Sequence, residues 1–143
     1  MQKKETSSLA KKLKKLRDGL SFTQKEVADK AHITESAYRA YELGDRNPKP
    51  EVLNRIAKVL GVRPEYLSAP TFKNCHEFAY ALLENEDVFG YTTRDIDGTA
   101  AITAGGGSSA GYFAEFVRDW EEMRKKLDNH EISKEEYENW KRI

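Results

Sequence analysis

The chain has 143 residues, 38% of them hydrophobic and 34% charged, which is enough for one domain with an extension. Its apolar runs fall short of the roughly 20 residues that a membrane-spanning helix needs. Its single cysteine excludes an internal disulfide, and the basic start lacks the apolar centre of a signal peptide, so we expect no membrane partner and a cytoplasmic location.

The net charge of zero conceals an asymmetry along the chain. Residues 1–68 carry 15 basic against 9 acidic side chains, a net charge of +6, and residues 69–143 carry 9 against 15, a net charge of −6. A basic half favours contact with phosphates, although such an asymmetry alone is equally compatible with ordinary solvated surface charge.

The first predicted helix covers Ser8–Gly19, because leucines recur there at helical spacing. The opposite face carries Lys11, Lys12, Lys14 and Lys15. We interpret these lysines as a solvated helix face, with phosphate contact as the alternative.

Residues 23–44 predict two short helices joined by a tight turn. Thr23 and Glu26 have the spacing of a capping box, and Thr34 is placed to cap the second helix. In that second helix Ala37, Tyr38 and Tyr41 fall on the inward side. A short helix held from behind, with a chemically mixed outer face, has the shape that enters a DNA major groove.

This stretch resembles the Xre/Cro type of helix-turn-helix domain, the family of phage repressors and many bacterial regulators. The matching residues are Thr23, Gln24, Val27, Ala28, Ala31, Ile33, Thr34, Tyr38, Tyr41, Glu42 and Gly44. The resemblance covers residues 9–67 and implies a five-helix, lambda-repressor-like fold. His32 stands where the family usually has glycine, so we expect a positive φ there at some conformational cost.

The remaining helices of this domain follow from glycine and proline signals. Gly44 ends the third helix, Pro50–Leu60 forms the fourth, and Pro64 opens a short fifth helix. Pro70 marks a boundary. We therefore predict a DNA-binding domain at 1–68, a linker at 69–73 and a dimerisation or regulatory region at 74–143.

The C-terminal region is predicted to be small and α+β. It contains a helix at 74–86, strands at 88–96 and 99–103, a flexible glycine and serine loop at 105–109, and a helix at 110–127. The Asp97-Gly98 pair between the strands predicts a hairpin, and Ser133 with Glu136 predicts a capping box for the last helix. The fold class is thus mainly α: the five-helix domain, then a helix, a β-hairpin and two helices.

The resemblance implies which residues contact DNA. The base-reading residues are Thr34, Glu35, Ser36, Arg39 and Ala40, and the phosphate-binding residues are Gln24, Arg46, Asn47 and Lys49. Arginine can reach guanine and glutamate can accept a hydrogen bond from cytosine. Alternatively, Arg39 contacts a phosphate or pairs with Glu35 at i, i+4 spacing.

An aromatic set marks the C-terminal region: Phe113, Phe116, Trp120 and Trp140. These residues form either the core of a small unit or a dimer interface, and both interpretations hold if paired subunits bury the area that one small unit cannot. A pocket for a small-molecule effector or a protein partner is a third interpretation.

The sequence offers no catalytic residues, metal ligands or cofactor site. Cys75 and His76 are adjacent, so a helix points them in different directions, and the three histidines lack metal-ligand spacing. Residues 105–109 lack the ending of a phosphate-binding loop. We therefore expect a non-enzymatic, sequence-specific transcriptional regulator, a repressor that binds double-stranded DNA at a pseudo-palindromic operator as a homodimer. The alternative is an antitoxin-like interaction module whose tail holds a partner while its N-terminal domain autoregulates.

Overall fold

The computed structural model describes residues 8–104 and 110–143; residues 1–7 and the loop predicted at 105–109 lie outside the described residues. The predicted fold class is confirmed, since the described residues form eight helices and one two-stranded antiparallel sheet. The elements are α1 (Ser8–Gly19), α2 (Gln24–Lys30), α3 (Glu35–Leu43), α4 (Pro50–Leu60), α5 (Pro64–Ser68), α6 (Cys75–Phe89), β1 (Tyr91–Ile96), β2 (Thr99–Ala104), α7 (Ala110–Asp128) and α8 (Lys134–Trp140). None of the helices in the described ranges combines the length and apolarity that crossing a membrane requires.

The first compact unit extends to Thr71 and also includes Asn139–Ile143. All five helices from α1 to α5 contribute to its core. The nearly or fully buried residues of this core include Leu13, Val27, Tyr38, Ile56, Ala57, Leu60 and Leu67. Burying a valine, leucine or isoleucine side chain stabilises a fold by about 1.5–3 kcal/mol. This core holds α2 and α3 from behind.

Two side-chain caps define where α2 and α3 begin. The Glu26 backbone N–H donates to Thr23 Oγ1 over 3.1 Å, while the Thr23 N–H donates to Glu26 Oε2 over 2.7 Å, so the predicted capping box is confirmed. The Ala37 N–H donates to Thr34 Oγ1 over 3.2 Å, which confirms the second cap. The turn between the helices contains His32 at φ 54°, the left-handed conformation predicted from its position.

The ends of α3 and α4 also match the sequence pattern. Gly44 adopts φ 74° and ends α3 through backbone hydrogen bonds to Ala40 and Tyr41, in the left-handed conformation that glycine accepts without strain. Pro50 occupies the first turn of α4, where its missing N–H costs nothing.

Lys12 departs from the solvated face predicted for the α1 lysines. Its ammonium group donates to the carbonyls of Tyr66, over 2.8 Å, and Ala69, over 3.0 Å. It also lies 5.1 Å from the centroid of the Tyr66 ring. Partial burial lowers the pKa of this amine. Lys12 therefore ties α1 to the end of α5, and the prediction that it is solvated is wrong.

The second compact unit comprises residues 72–138. In its hairpin, β1 pairs with β2 from Tyr91 opposite Ala104 to Ile96 opposite Thr99. Asp97 at φ 53° and Gly98 at φ 81° form the connecting turn, so the predicted hairpin is confirmed. The first strand was predicted to begin at Val88, which is wrong, because α6 continues to Phe89 and ends only at Gly90.

The second unit has little core of its own. Among the described residues of 72–138, Tyr137 is the one buried residue, with 6% of its surface exposed. The Trp120 indole N–H donates to the Tyr137 hydroxyl over 2.7 Å, which joins α7 to α8. The capping box of α8 is confirmed, since the Glu136 N–H donates to Ser133 Oγ and the Ser133 N–H to Glu136 Oε2.

The end of the chain does not belong to the compact unit in which the sequence analysis placed it. Residues 139–143, predicted as part of the C-terminal region, pack with the first unit instead. The contact is explicit in the backbone, because the Arg63 N–H at the start of α5 donates to the Arg142 carbonyl over 2.9 Å. Trp140 belongs to this segment and is half-buried.

Candidate nucleic-acid interface

The outer face of α3 carries the predicted base-reading residues. Ala37, Tyr38 and Tyr41 turn toward the core, as predicted. As a consequence Glu35, Ser36 and Arg39 are exposed, and Ala40 is half-buried at the edge of this face. The structure therefore brings four of the five predicted residues onto one helical surface.

Thr34, the fifth predicted base reader, stands at the start of this surface and has a second role. Its side chain is exposed, but its oxygen accepts the capping hydrogen bond from Ala37. The hydroxyl hydrogen stays available to an acceptor.

Glu35 and Arg39 do not pair with each other. The part of the chain that the structure describes holds no ion pair between these two side chains, despite their i, i+4 spacing. Both groups therefore face solvent with their hydrogen-bonding capacity available, as a base-reading role requires.

Leu43 is a member of the outer face that the sequence analysis missed. Its side chain is 54% exposed although it lies in the last turn of α3. It stands four residues after Arg39 and seven after Ser36, so helical spacing puts all three on one stripe. The same spacing count, carried one turn further, would have found it.

The side chain of Gln24 is oriented by a hydrogen bond to Glu42 of α3. It is the first residue of α2, as predicted, and its side-chain amide donates to Glu42 Oε2 over 2.8 Å. Arg17 donates to the same carboxylate, from Nε to Oε1 over 2.6 Å and from Nη2 to Oε2 over 3.1 Å. A buried carboxylate therefore orients the residue predicted to bind phosphate.

Glu42 is the second residue that the sequence analysis left without a role. Its burial opposes ionisation, but the hydrogen bonds from Arg17 and Gln24 outweigh this effect and hold the pKa of Glu42 below its ordinary value. Burial in turn raises the pKa of the neighbouring Tyr38. Within the described residues the buried Tyr38 hydroxyl has no hydrogen bond of ordinary geometry, although it interacts electrostatically with Glu42.

The loop between α3 and α4 presents the predicted backbone-contacting residues. Arg46, Asn47 and Lys49 are all exposed. The Asp45 N–H donates to the Ala40 carbonyl over 2.9 Å, so the loop turns back immediately after α3. Two cationic side chains thus lie next to the end of the outer face, where a DNA strand bordering a major groove would pass.

Metal-ligand chemistry is absent from the part of the chain that the structure describes. Among residues 8–104 and 110–143, no group of three or more His, Cys, Asp or Glu side chains is arranged to hold a metal ion. The polar groups of the α3 face are those of hydrogen-bonding recognition.

Comparisons with known proteins agree with this geometry. The family model described as helix-turn-helix matches residues 13–67, from the middle of α1 to α5. The chain is 47% identical over 55 residues to the uncharacterized HTH-type transcriptional regulator YqaE of Bacillus subtilis, covering 38% of this chain and 47% of that protein. It is 35% identical over 60 residues to the HTH-type transcriptional regulator ImmR of the same organism, covering 42% of this chain and 47% of that protein.

A third relative has a prophage origin. The SPbeta prophage-derived uncharacterized HTH-type transcriptional regulator YonR of Bacillus subtilis is 34% identical over 56 residues, covering 39% of this chain and 52% of that protein. The chain thus spans about half the length of the curated relatives it matches. The family-model match lies within the first compact unit.

Proposed function

We propose that this protein is a sequence-specific DNA-binding regulator of transcription that acts as a repressor, because residues 13–67 match a helix-turn-helix family model and resemble the Xre/Cro type. The observation that carries the proposal is the outer face of α3, where Glu35, Ser36 and Arg39 are exposed and unpaired with one another. Regulators of this family place such a helix in the major groove.

Recognition divides between two sets of residues in this proposal. Glu35, Ser36, Arg39, Ala40 and Thr34 contact base edges. Gln24, Arg46, Asn47 and Lys49 contact the sugar-phosphate backbone and fix the register of α3 in the groove. The base-reading face offers few groups that can bond to base edges, since it carries one acidic and one basic side chain. Much of the affinity therefore comes from backbone contacts and dimerisation.

The second compact unit supports a homodimer. Its exposed large apolar residues are Phe72, Phe78, Tyr80, Leu83, Val88, Phe89, Ile96, Ile102, Tyr112, Phe116 and Trp120, each more than 40% exposed. A half-exposed aromatic side chain leaves on the order of 100 Å² in water. Together these residues leave on the order of 1,000 Å² of side-chain surface in water, an area comparable to one side of a stable interface.

The four predicted interface aromatics contribute unequally to this surface. Phe116 and Trp120 are each 47% exposed, with ring centroids 6.1 Å apart on α7. Phe113 is half-buried and packs on Tyr91, at 5.3 Å between centroids, so it belongs to the internal packing of the unit. Trp140 packs with the first unit. Of the four predicted aromatics, Phe116 and Trp120 therefore support the dimer proposal.

Light scattering of the purified full chain tests the dimer. We expect the mass of two chains for the wild type and a shift toward one chain for Phe116→Ser. Leu20→Ser is the matched control, because Leu20 is 45% exposed but lies in the first unit. A wild-type mass of one chain would contradict the dimer. Stoichiometric co-purification of a different protein would favour the antitoxin-like alternative.

Selection of bound fragments from genomic DNA tests the regulator. A dimer presents two α3 helices about 34–36 Å apart, so the selected fragments are expected to share two inverted half-sites about one helical turn apart. Selected fragments without a shared motif would contradict sequence-specific binding.

A further inference from the structure

The first compact unit has an open cavity of about 770 Å³ beside the predicted DNA-contacting face. Three of its lining residues are lysines of α1: Lys11, Lys14 and Lys15. The remaining wall includes Gln24 at the start of α2 and Leu43 at the end of α3. The lysines therefore share one concave surface with a predicted phosphate-binding residue and with the last residue of the α3 outer face.

The acidic residues that line the cavity do not neutralise the charge of its three lysines. Two acidic residues, Asp18 and Glu42, also line the cavity, but both pair with Arg17. The Glu42 carboxylate is further occupied by Gln24, and its side chain is 4% exposed. In the described part of the chain the three lysines have no ion-pair partner, and Lys11, Lys14 and Lys15 are all exposed.

Lys12 is on α1 as well, but it does not line the cavity. It points to the carbonyls of Tyr66 and Ala69, whereas Lys11, Lys14 and Lys15 lie at i, i+3 and i+4 and so share one face. A phosphate oxygen needs hydrogen-bond donors with positive charge, and lysine ammonium groups supply both.

From this juxtaposition we propose that α1 is a third DNA-backbone-contacting element, in which Lys11, Lys14 and Lys15 bind phosphates of the strand that passes the start of α2 and the end of α3. The proposal rests on the proposed DNA-binding function. It extends the footprint past the contacts expected of Gln24 and the loop after α3. These contacts add affinity without sequence preference, because they touch phosphates alone.

The test compares two charge-matched double variants of the full chain. Lys11→Gln with Lys14→Gln removes two charges from the cavity, while Arg55→Gln with Lys58→Gln removes two exposed charges from α4, outside it. Glutamine keeps nearly the helix propensity of lysine, and thermal unfolding of both variants checks that they fold. Fluorescence anisotropy then gives the affinity for a selected fragment and for a random duplex over a series of salt concentrations.

We expect the cavity variant to bind both duplexes more weakly, with an unchanged preference between them. Its slope of log affinity against log salt concentration should be shallower by one to two, since each phosphate contact contributes about 0.9. The α4 variant should keep the wild-type slope. A wild-type slope for the cavity variant, or equal losses in the two variants, would overturn the proposal. If the wild type binds all duplexes alike, the regulator function fails while the lysine comparison still decides this proposal.

Discussion

Arg17 and Glu42 join α1 to α3 through two parallel hydrogen bonds, of 2.6 Å from Nε and 3.1 Å from Nη2. Their side chains are 13% and 4% exposed, so the pair is largely withdrawn from water. Gln24 of α2 binds the same carboxylate. One buried carboxylate therefore links the three helices that set the position of the α3 outer face.

Replacing Glu42 by glutamine should destabilise the first unit strongly. The change removes the acidic partner that holds Arg17 from two nitrogens and leaves the exposed Asp18 as its remaining acidic partner, and breaking largely buried pairs costs up to about 3–5 kcal/mol. Urea unfolding of the full chain, followed by circular dichroism, measures the loss. Glu65→Gln serves as control, since Glu65 is exposed on α5 and should change stability by less than about 0.5 kcal/mol. Equal stabilities for the two variants would refute the role of the pair.

The contribution of Glu42 should also depend on pH. Because its pKa in the folded state is depressed below the ordinary value of 4.5, its stabilising effect is fully present above pH 4.5 and is lost as the pH falls through the folded-state pKa. The stability difference between the wild type and Glu42→Gln should therefore stay constant from pH 7 to pH 5 and shrink below pH 4. Unfolding curves across this range would contradict the account if the difference grew with acidity.

Tyr38→Phe should not destabilise the protein. The Tyr38 hydroxyl is buried and makes no hydrogen bond of ordinary geometry to the described residues, so its interaction with Glu42 offsets little of the about 1–3 kcal/mol that burying such a group costs. We expect the free energy of unfolding to stay the same or rise by about 1 kcal/mol. Tyr41→Phe controls for the general effect of removing a hydroxyl from α3. A loss well above 1 kcal/mol in Tyr38→Phe would show that the hydroxyl bonds to Glu42.

Two exposed residues should affect DNA binding in different ways. Arg46→Ala removes a backbone contact, so binding should weaken on every sequence and the salt slope should become shallower by about one. Glu35→Ala changes the α3 face, so the order of preference among half-site variants should change while the salt slope stays constant. Anisotropy titrations over a panel of single-base variants separate these outcomes. Identical changes in preference for both variants would contradict the assignment.

Cys75 gives direct access to the proposed dimer. It is the single cysteine of the sequence and is exposed at the first residue of α6. A spin label attached there sees a second label only if two chains associate, so double electron-electron resonance should give a defined distance for the wild type. The signal should disappear on dilution with excess unlabelled chain. Its absence in the fully labelled protein would count against a homodimer with a fixed α6 position.

Local sequence signals specified most of the fold. The approximate bounds predicted for α1 and α4 agree with the structure, because leucine spacing and Pro50 indicate these helices without help from tertiary contacts. The β1 start was misplaced because Val88 and Phe89 suit a strand as well as a helix, and the stop at Gly90 decides between the two.

Tertiary contacts account for what the sequence did not reveal. Four lysines in α1 look alike, yet Lys12 finds carbonyls on α5 and its neighbours do not. Glu42 and Arg17 are 25 residues apart in the sequence, so no local sequence pattern predicts that they pair. The α3 face could be predicted because helical periodicity alone determines it, whereas the orientation of Gln24 depends on that distant pair.

The central claim is that the α3 face reads a DNA sequence, and an anisotropy titration of the full chain at about 0.15 M salt tests it most directly. Its duplexes are a fragment selected from genomic DNA and a scrambled version of the same composition. The account predicts binding of the selected fragment about a thousandfold or more tighter than the scrambled one. Equal affinities for the two duplexes, or no binding to either, would contradict it.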